Sequence, residues 1–357
     1  MLNSRRLILA HFWLAFLVFG IALVLGAWQM FIRSPLHTWI SDPEWYYRSV
    51  TAHGTIMGYL FPTLIAMGFG YAISESSLGQ PLIGPRWAWA GFGLVLVGTV
   101  TAIIPVSLGR ATVLYTFYPP LIGNPFYYIG VVLVVVGSWI WVALMSINLR
   151  AWKKANPGRP VPLPMFANVA GSYLWAWTAV GAALELLLQL IPVALGLTST
   201  INVGLARVFF SWTLHAIVYF WLIPTYIAYY TILPRAIGGK IYSDTMMRLA
   251  FITFLVVAMP IGIHHIRRPA GRRGLEIRPL HIHSARCASY PDHGLHHLRF
   301  GRDRGAPSRR TGLVRLARGA AVEQPDHARF SFFVRDAGFR RGRRPHQHEL
   351  PTRRDRP

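Results

Sequence analysis

The chain has 357 residues, 53% of them hydrophobic, and a formal charge of +23. Residues 1–265 hold 14 Lys and Arg against 5 Asp and Glu, whereas residues 266–357 hold 22 Arg and no Lys against 8 Asp and Glu. This split excludes one uniform globular domain: the first part has the composition of a membrane protein, and the second resembles nothing that buries a core.

The N-terminal stretch "MLNSRRLILAHFWLAFLVFGIALVLGAW" has basic flanks, but its apolar run exceeds a signal-peptide core and no small-residue cleavage site follows. It reads as a retained first helix. Apolar stretches near or above the roughly 20 residues that cross hydrocarbon are predicted at 8–32, 50–74, 87–108, 125–149, 166–197, 205–233 and 246–265. Polar or Pro/Gly-rich connections such as "SSLGQPLIGPR" and "KKANPGRPVPLP" separate them. A cytoplasmic N-terminus places Arg5, Arg6, Arg86, Arg150, Lys153, Lys154, Arg159, Arg235, Lys240 and Arg248 inside and Arg33, Arg48, Arg110 and Arg207 outside. That distribution follows the positive-inside rule. The expectation is a multi-pass protein of the bacterial inner membrane. The lone cysteine, Cys287, excludes disulfides, a cysteine-ligated cluster and a thiolate copper centre from residues 1–265.

Five histidines fall in these spans. His11 lies in the first turn of the first span with reach to the interface, and is set aside. The others are His53, His215, His264 and His265. An imidazole at membrane depth is costly unless it faces the bundle interior and finds a partner. One such histidine reads as a hydrogen-bonded helix contact; four together, with so few other polar residues, point to copper or heme iron. Beside His53, Gly54 and Gly58 would let a flat ring approach, although small residues also serve plain packing.

Tyr219 follows His215 by four residues and shares its helix face, and Tyr226 and Tyr230 continue roughly the same face. That row reads either as a hydroxyl-lined proton route or as an aromatic packing stripe. His264 and His265 would diverge by about 100° on a regular helix, so joint binding of one metal needs a distortion, for which Pro260 and Gly262 supply a cause. Glu185 is the other ionisable side chain deep in a span. It reads as a proton carrier or, slightly favoured, as a buried acid bonded to a neighbouring helix.

These residues carry a resemblance. "HAIVYFWLIPTY" resembles the helix-six motif of subunit I of heme–copper terminal oxidases, "GIHH" the helix-seven pair and "TAHGTIMGYLF" the helix-two segment. "ATVLYTFYPPL" and "KKANPG" look like loops of the same family. The likeness runs over residues 10–265, with the motifs in order on the right spans, and implies the seven-helix part of that all-α membrane bundle. It is closest to the B-family cytochrome c oxidases, because "HAIVY" lacks the acid that A-family members place on this helix.

The resemblance implies that His53 is an axial ligand of a low-spin heme and that His215, His264 and His265 hold copper B. It implies that Tyr219 is cross-linked to His215 and that Tyr219, Tyr226 and Tyr230 line the proton path. Low-spin and high-spin hemes and copper are the implied cofactors. A copper-bearing subunit II, cytochrome c or a quinol as donor, O2 and the bilayer are the implied partners, with no nucleic acid. The implied reaction is reduction of O2 to water coupled to proton translocation. The alternatives are a nitric oxide reductase or quinol oxidase relative and, from another class, a non-enzymatic transporter whose basic tail binds lipid or nucleic acid. A nitric oxide reductase usually lacks the helix-six tyrosine that is present here as Tyr219.

From "IRRPAGRRG" onward the family pattern stops. A solvated basic tail is the ordinary reading of such a charge run, but 266–357 lacks Lys and keeps apolar residues without period. Read one nucleotide later, codons for "HQHELPTRRDR" can encode "INMSYQLDATV". Those for Ala285–Arg304 can encode the apolar "RVALPTLTTAFTIFASVEIA". Both strings resemble family sequence beyond helix seven. The expectation is a partial transmembrane catalytic region, 1–265, followed by an irregular, disordered, out-of-frame Arg-rich tail, 266–357. As written, the chain lacks the later heme ligands and is expected to be inactive.

Overall fold

The computed structural model describes residues 2–35, 43–117, 119 and 121–260. Among them every regular element is helical. In chain order these are α1 (Leu2–Arg33), α2 (Pro43–Leu78), α3 (Pro85–Ser107), α4 (Pro125–Ala155), α5 (Leu163–Ala194), α6 (Val203–Ala236) and α7 (Asp244–Ala258). The first six are long and apolar enough to cross a membrane. Helix α7 shows 15 residues, and its expected continuation through His265 lies outside the described residues. The all-helical membrane architecture expected from the apolar runs is the one found.

The helix starts follow local chemistry. The Asn124 side chain accepts from Phe126 N at 3.0 Å, and that of Asn202 from Leu205 N at 3.0 Å, capping α4 and α6. Pro85 and Pro125 open α3 and α4, where a missing N–H costs nothing. Helix α2 ends at Gly79, left-handed at φ 64°, whose N–H returns to Glu75 O.

Three helices contain a π-helical turn, at Ile56–Leu60, Leu186–Leu190 and Ala228–Ile232. Each lies just upstream of a proline: Pro62, Pro192 and Pro234. A proline has no N–H for the carbonyl four residues back, and its ring crowds that carbonyl. The backbone instead closes i→i−5 bonds, as from Phe61 N to Ile56 O.

Helices α3 and α4 meet on a glycine seam. A Cβ on Gly91 would sit 2.9 Å from Gly137 O, and one on Gly130 would sit 2.6 Å from Gly98 O. Such close backbone approach is how membrane helices pack without a hydrophobic drive between them. The main core lies between α1, α2, α4 and α5, around Leu64, Met67, Tyr71, Trp141 and Met165. His11 belongs to it: it is fully buried, 4.9 Å from the Phe92 ring and 5.5 Å from that of Tyr71. It therefore does not reach the interface as expected, because Gly68 opens room for it on α2.

Candidate functional site

His53 is half-buried on α2. Its Nδ1 lies 2.8 Å from the carbonyl oxygen of Ala22 on α1. A carbonyl only accepts, so Nδ1 carries the hydrogen and Nε2 keeps its lone pair. That arrangement fixes ring and tautomer in the way metal-ligating histidines are oriented. The residue that admits the ring is Gly26, where a Cβ would lie 2.9 Å from His53 Cε1. The two glycines expected to leave room for a flat ring beside His53 differ in their surroundings. Gly54 accommodates Tyr115, whose Cβ would be 2.6 Å from an added methyl, while Gly58 faces open space with no atom within 4 Å.

Pro62 leaves the Gly58 carbonyl without its helical donor, and the Trp221 indole on α6 donates to that oxygen at 3.1 Å. The helix of His53 is thereby tied to the helix of His215. His215 is half-buried, with Ala216 and Ile217 fully inside beside it. One turn on, the Tyr219 ring meets Phe254 of α7 edge-on at 5.3 Å. Tyr226 meets Phe254 at 5.7 Å and stacks on Tyr230 at 6.1 Å, and Tyr230 meets Phe251 at 6.1 Å. The three tyrosines thus occupy one seam between α6 and α7, in the expected order, interleaved with two phenylalanines.

Helix α7 is held against α5 at both ends. Near its start, Arg248 pairs with Asp244 at 2.5 Å, donates to Val161 O at 2.6 Å and lies 5.2 Å over the Phe166 ring. At its far end, Trp177 of α5 donates to Met259 O at 3.2 Å. The Trp177 ring also packs 4.6 Å from Trp212, three residues before His215. Trp177 therefore positions both the approach to His215 and the chain five residues before His264. Sequence reasoning missed it: an in-span Trp looks like lipid-facing bulk, and only Pro260 marked the carbonyl next to it as unusual. His264 and His265 lie outside the described residues, and among the described residues no group of three metal-binding side chains occurs.

Glu185 is fully buried on α5, immediately before its π-helical turn. Neither carboxylate oxygen has a hydrogen-bond partner among the described residues. Among the described residues the expected bond from Glu185 to a neighbouring helix is therefore not found.

A family model described as cytochrome C and quinol oxidase polypeptide I matches residues 6–267. Cytochrome c oxidase subunit 1 of Thermus thermophilus is 40% identical over 223 residues, which are 62% of this chain and 39% of that protein. A cryo-EM structure described as a heme-copper terminal oxidase dimer superposes with a TM-score of 0.72 at 38% identity. That match covers 76% of this chain and 47% of the solved one. The chain thus spans less than half the length of either relative.

Proposed function

This chain belongs to the cytochrome c and quinol oxidase polypeptide I family, and we propose that it carries the catalytic-subunit part of a B-family terminal oxidase. The proposed enzyme reduces O2 to water with electrons from cytochrome c, received through a copper-bearing subunit II, and moves protons across the bacterial inner membrane. The N-terminus is cytoplasmic in this reading. The transporter alternative loses its footing with the family match.

Heme and copper, when bound, supply the electron transfer and the O2 chemistry. The chain supplies ligands and protons. His53 presents Nε2 to the low-spin heme iron; the observation that carries the reading is its Nδ1 bond to Ala22 O, with open space beside Gly58. His215, His264 and His265 hold copper B, an all-imidazole set that suits copper. Tyr219 holds a proton at its hydroxyl beside His215, and Tyr226 and Tyr230 pass protons to it from the cytoplasmic side.

Residues 1–265 form this catalytic region, and 266–357 are an out-of-frame translation. The end of the family match at residue 267 supports that boundary. Sequencing the gene through the His265 codon tests the boundary. An open frame that continues only as written overturns it. With the frame restored, the purified protein should hold a low-spin heme that His53→Ala removes and a copper that His215→Ala removes. Neither heme nor copper in the unsubstituted protein would overturn the functional reading.

A further inference from the structure

Glu185, Gln189 and Tyr128 gather unused hydrogen-bonding capacity at one buried place. Among the described residues both Glu185 oxygens lack partners, and so does the buried Nε2 of Gln189, one turn further along α5. Tyr128, fully buried on α4, accepts from Gly123 N at 2.9 Å and so keeps its own proton to give. Tyr128 packs in the same buried cluster as Leu186 and Leu190, the neighbours in sequence of Glu185 and Gln189.

An ionised carboxylate at membrane depth is strongly disfavoured without a cation against it, and none lies against Glu185 among the described residues. A divalent ion would demand more oxygen ligands than one acid and one amide provide. The occupants that fit are a proton on the carboxyl and a water with two to four polar partners. The other end of Gln189 points to an exit: its Oε1 accepts from Asn202 N at 3.1 Å, at the start of α6. The π-helical turn Leu186–Leu190 lies between carboxyl and exit, and such turns recur at working sites in helices.

We propose that Glu185 is a proton-holding site, hydrated by one water shared with Gln189 and Tyr128, that exchanges protons with the connection between α5 and α6. Under the positive-inside orientation that connection is the outer one. Use of the site in turnover rests on the oxidase reading; the proton-holding itself does not.

The test is infrared spectroscopy of the full chain in detergent, without heme or copper, so that its outcome is independent of cofactor assays. At neutral pH, Glu185→Gln should remove a protonated-carboxyl C=O band that shifts in D2O. Gln189→Leu should slow that shift, and Tyr128→Phe should move the band. Helical circular dichroism checks that each variant folds; where Glu185→Gln does not, Glu185→Asp should displace the same band. Loss of an ionised carboxylate band instead, or a D2O shift unaffected by Gln189→Leu, overturns the proposal.

Discussion

Trp221 and Gly58 join the two helices that carry the first two expected ligands: the Trp221 indole, six residues after His215, donates at 3.1 Å to a carbonyl five residues after His53. The carbonyl is available because Pro62 cannot donate to it. Trp221→Phe should cost about 1 kcal/mol, the usual net worth of such a bond. Pro62→Ala supplies the missing N–H, so the same Trp221→Phe change should cost less in that background. Denaturant unfolding of the four chains in detergent measures the coupling, and strictly additive losses would show that proline and indole act independently.

Gly26 and Gly20 lie on the same helix with opposite surroundings. A methyl at Gly26 would meet the His53 ring at 2.9 Å, whereas one at Gly20 meets nothing within 4 Å. Gly26→Ala should destabilise by about 1–3 kcal/mol, the range for overpacking, and should break the His53–Ala22 bond. Gly20→Ala should be close to neutral. Histidine-selective NMR distinguishes the outcomes: the Nδ1-protonated His53 signal should persist in Gly20→Ala and shift in Gly26→Ala.

Much of this was readable before any coordinates. Seven apolar runs separated by polar connections reflect a physical demand, hydrocarbon thickness, that composition reports directly. Their ends were less legible: α2 begins at Pro43 rather than near residue 50, because "PEWYYR" is helical yet polar, steadied by the Arg48–Glu44 pair. The partners of the site were not legible at all. His53 depends on Gly26 and Ala22 of another helix, which no local pattern marks, nor does any local pattern mark Tyr128 of α4 as belonging to the same buried cluster as the turn that follows Glu185. The π-helical turns had a signal that sequence reading did not use, a proline two residues past each.

Trp177 should matter more for α7 than for α5. Trp177→Phe keeps an aromatic ring against Trp212 but withdraws the donor from Met259 O. Amide exchange around Met259 should quicken while that of α5 stays unchanged, as expected for a helix end that opens locally. In the frame-restored protein the same substitution should lower copper occupancy without lowering heme content. Equal losses of both would mean that Trp177 supports the bundle as a whole.

The tyrosine seam separates a proton route from plain packing. What the structure brings together is rings: Tyr219 and Tyr226 against Phe254, and Tyr230 against Phe251. Replacing each tyrosine in turn by Phe preserves that interleaving and removes only a hydroxyl. Stability should therefore change by less than about 0.5 kcal/mol, the ordinary scale for substitutions that disturb no packing. Under the proton-route reading, Tyr226→Phe and Tyr230→Phe in the frame-restored oxidase should slow turnover while leaving its heme and copper content intact. Under the same reading Tyr219→Phe should abolish turnover, because its hydroxyl is the one proposed to hold a proton beside His215. Full turnover in Tyr226→Phe and Tyr230→Phe would make the seam an aromatic stripe, leaving His215 and Tyr219 to be supplied with protons from elsewhere.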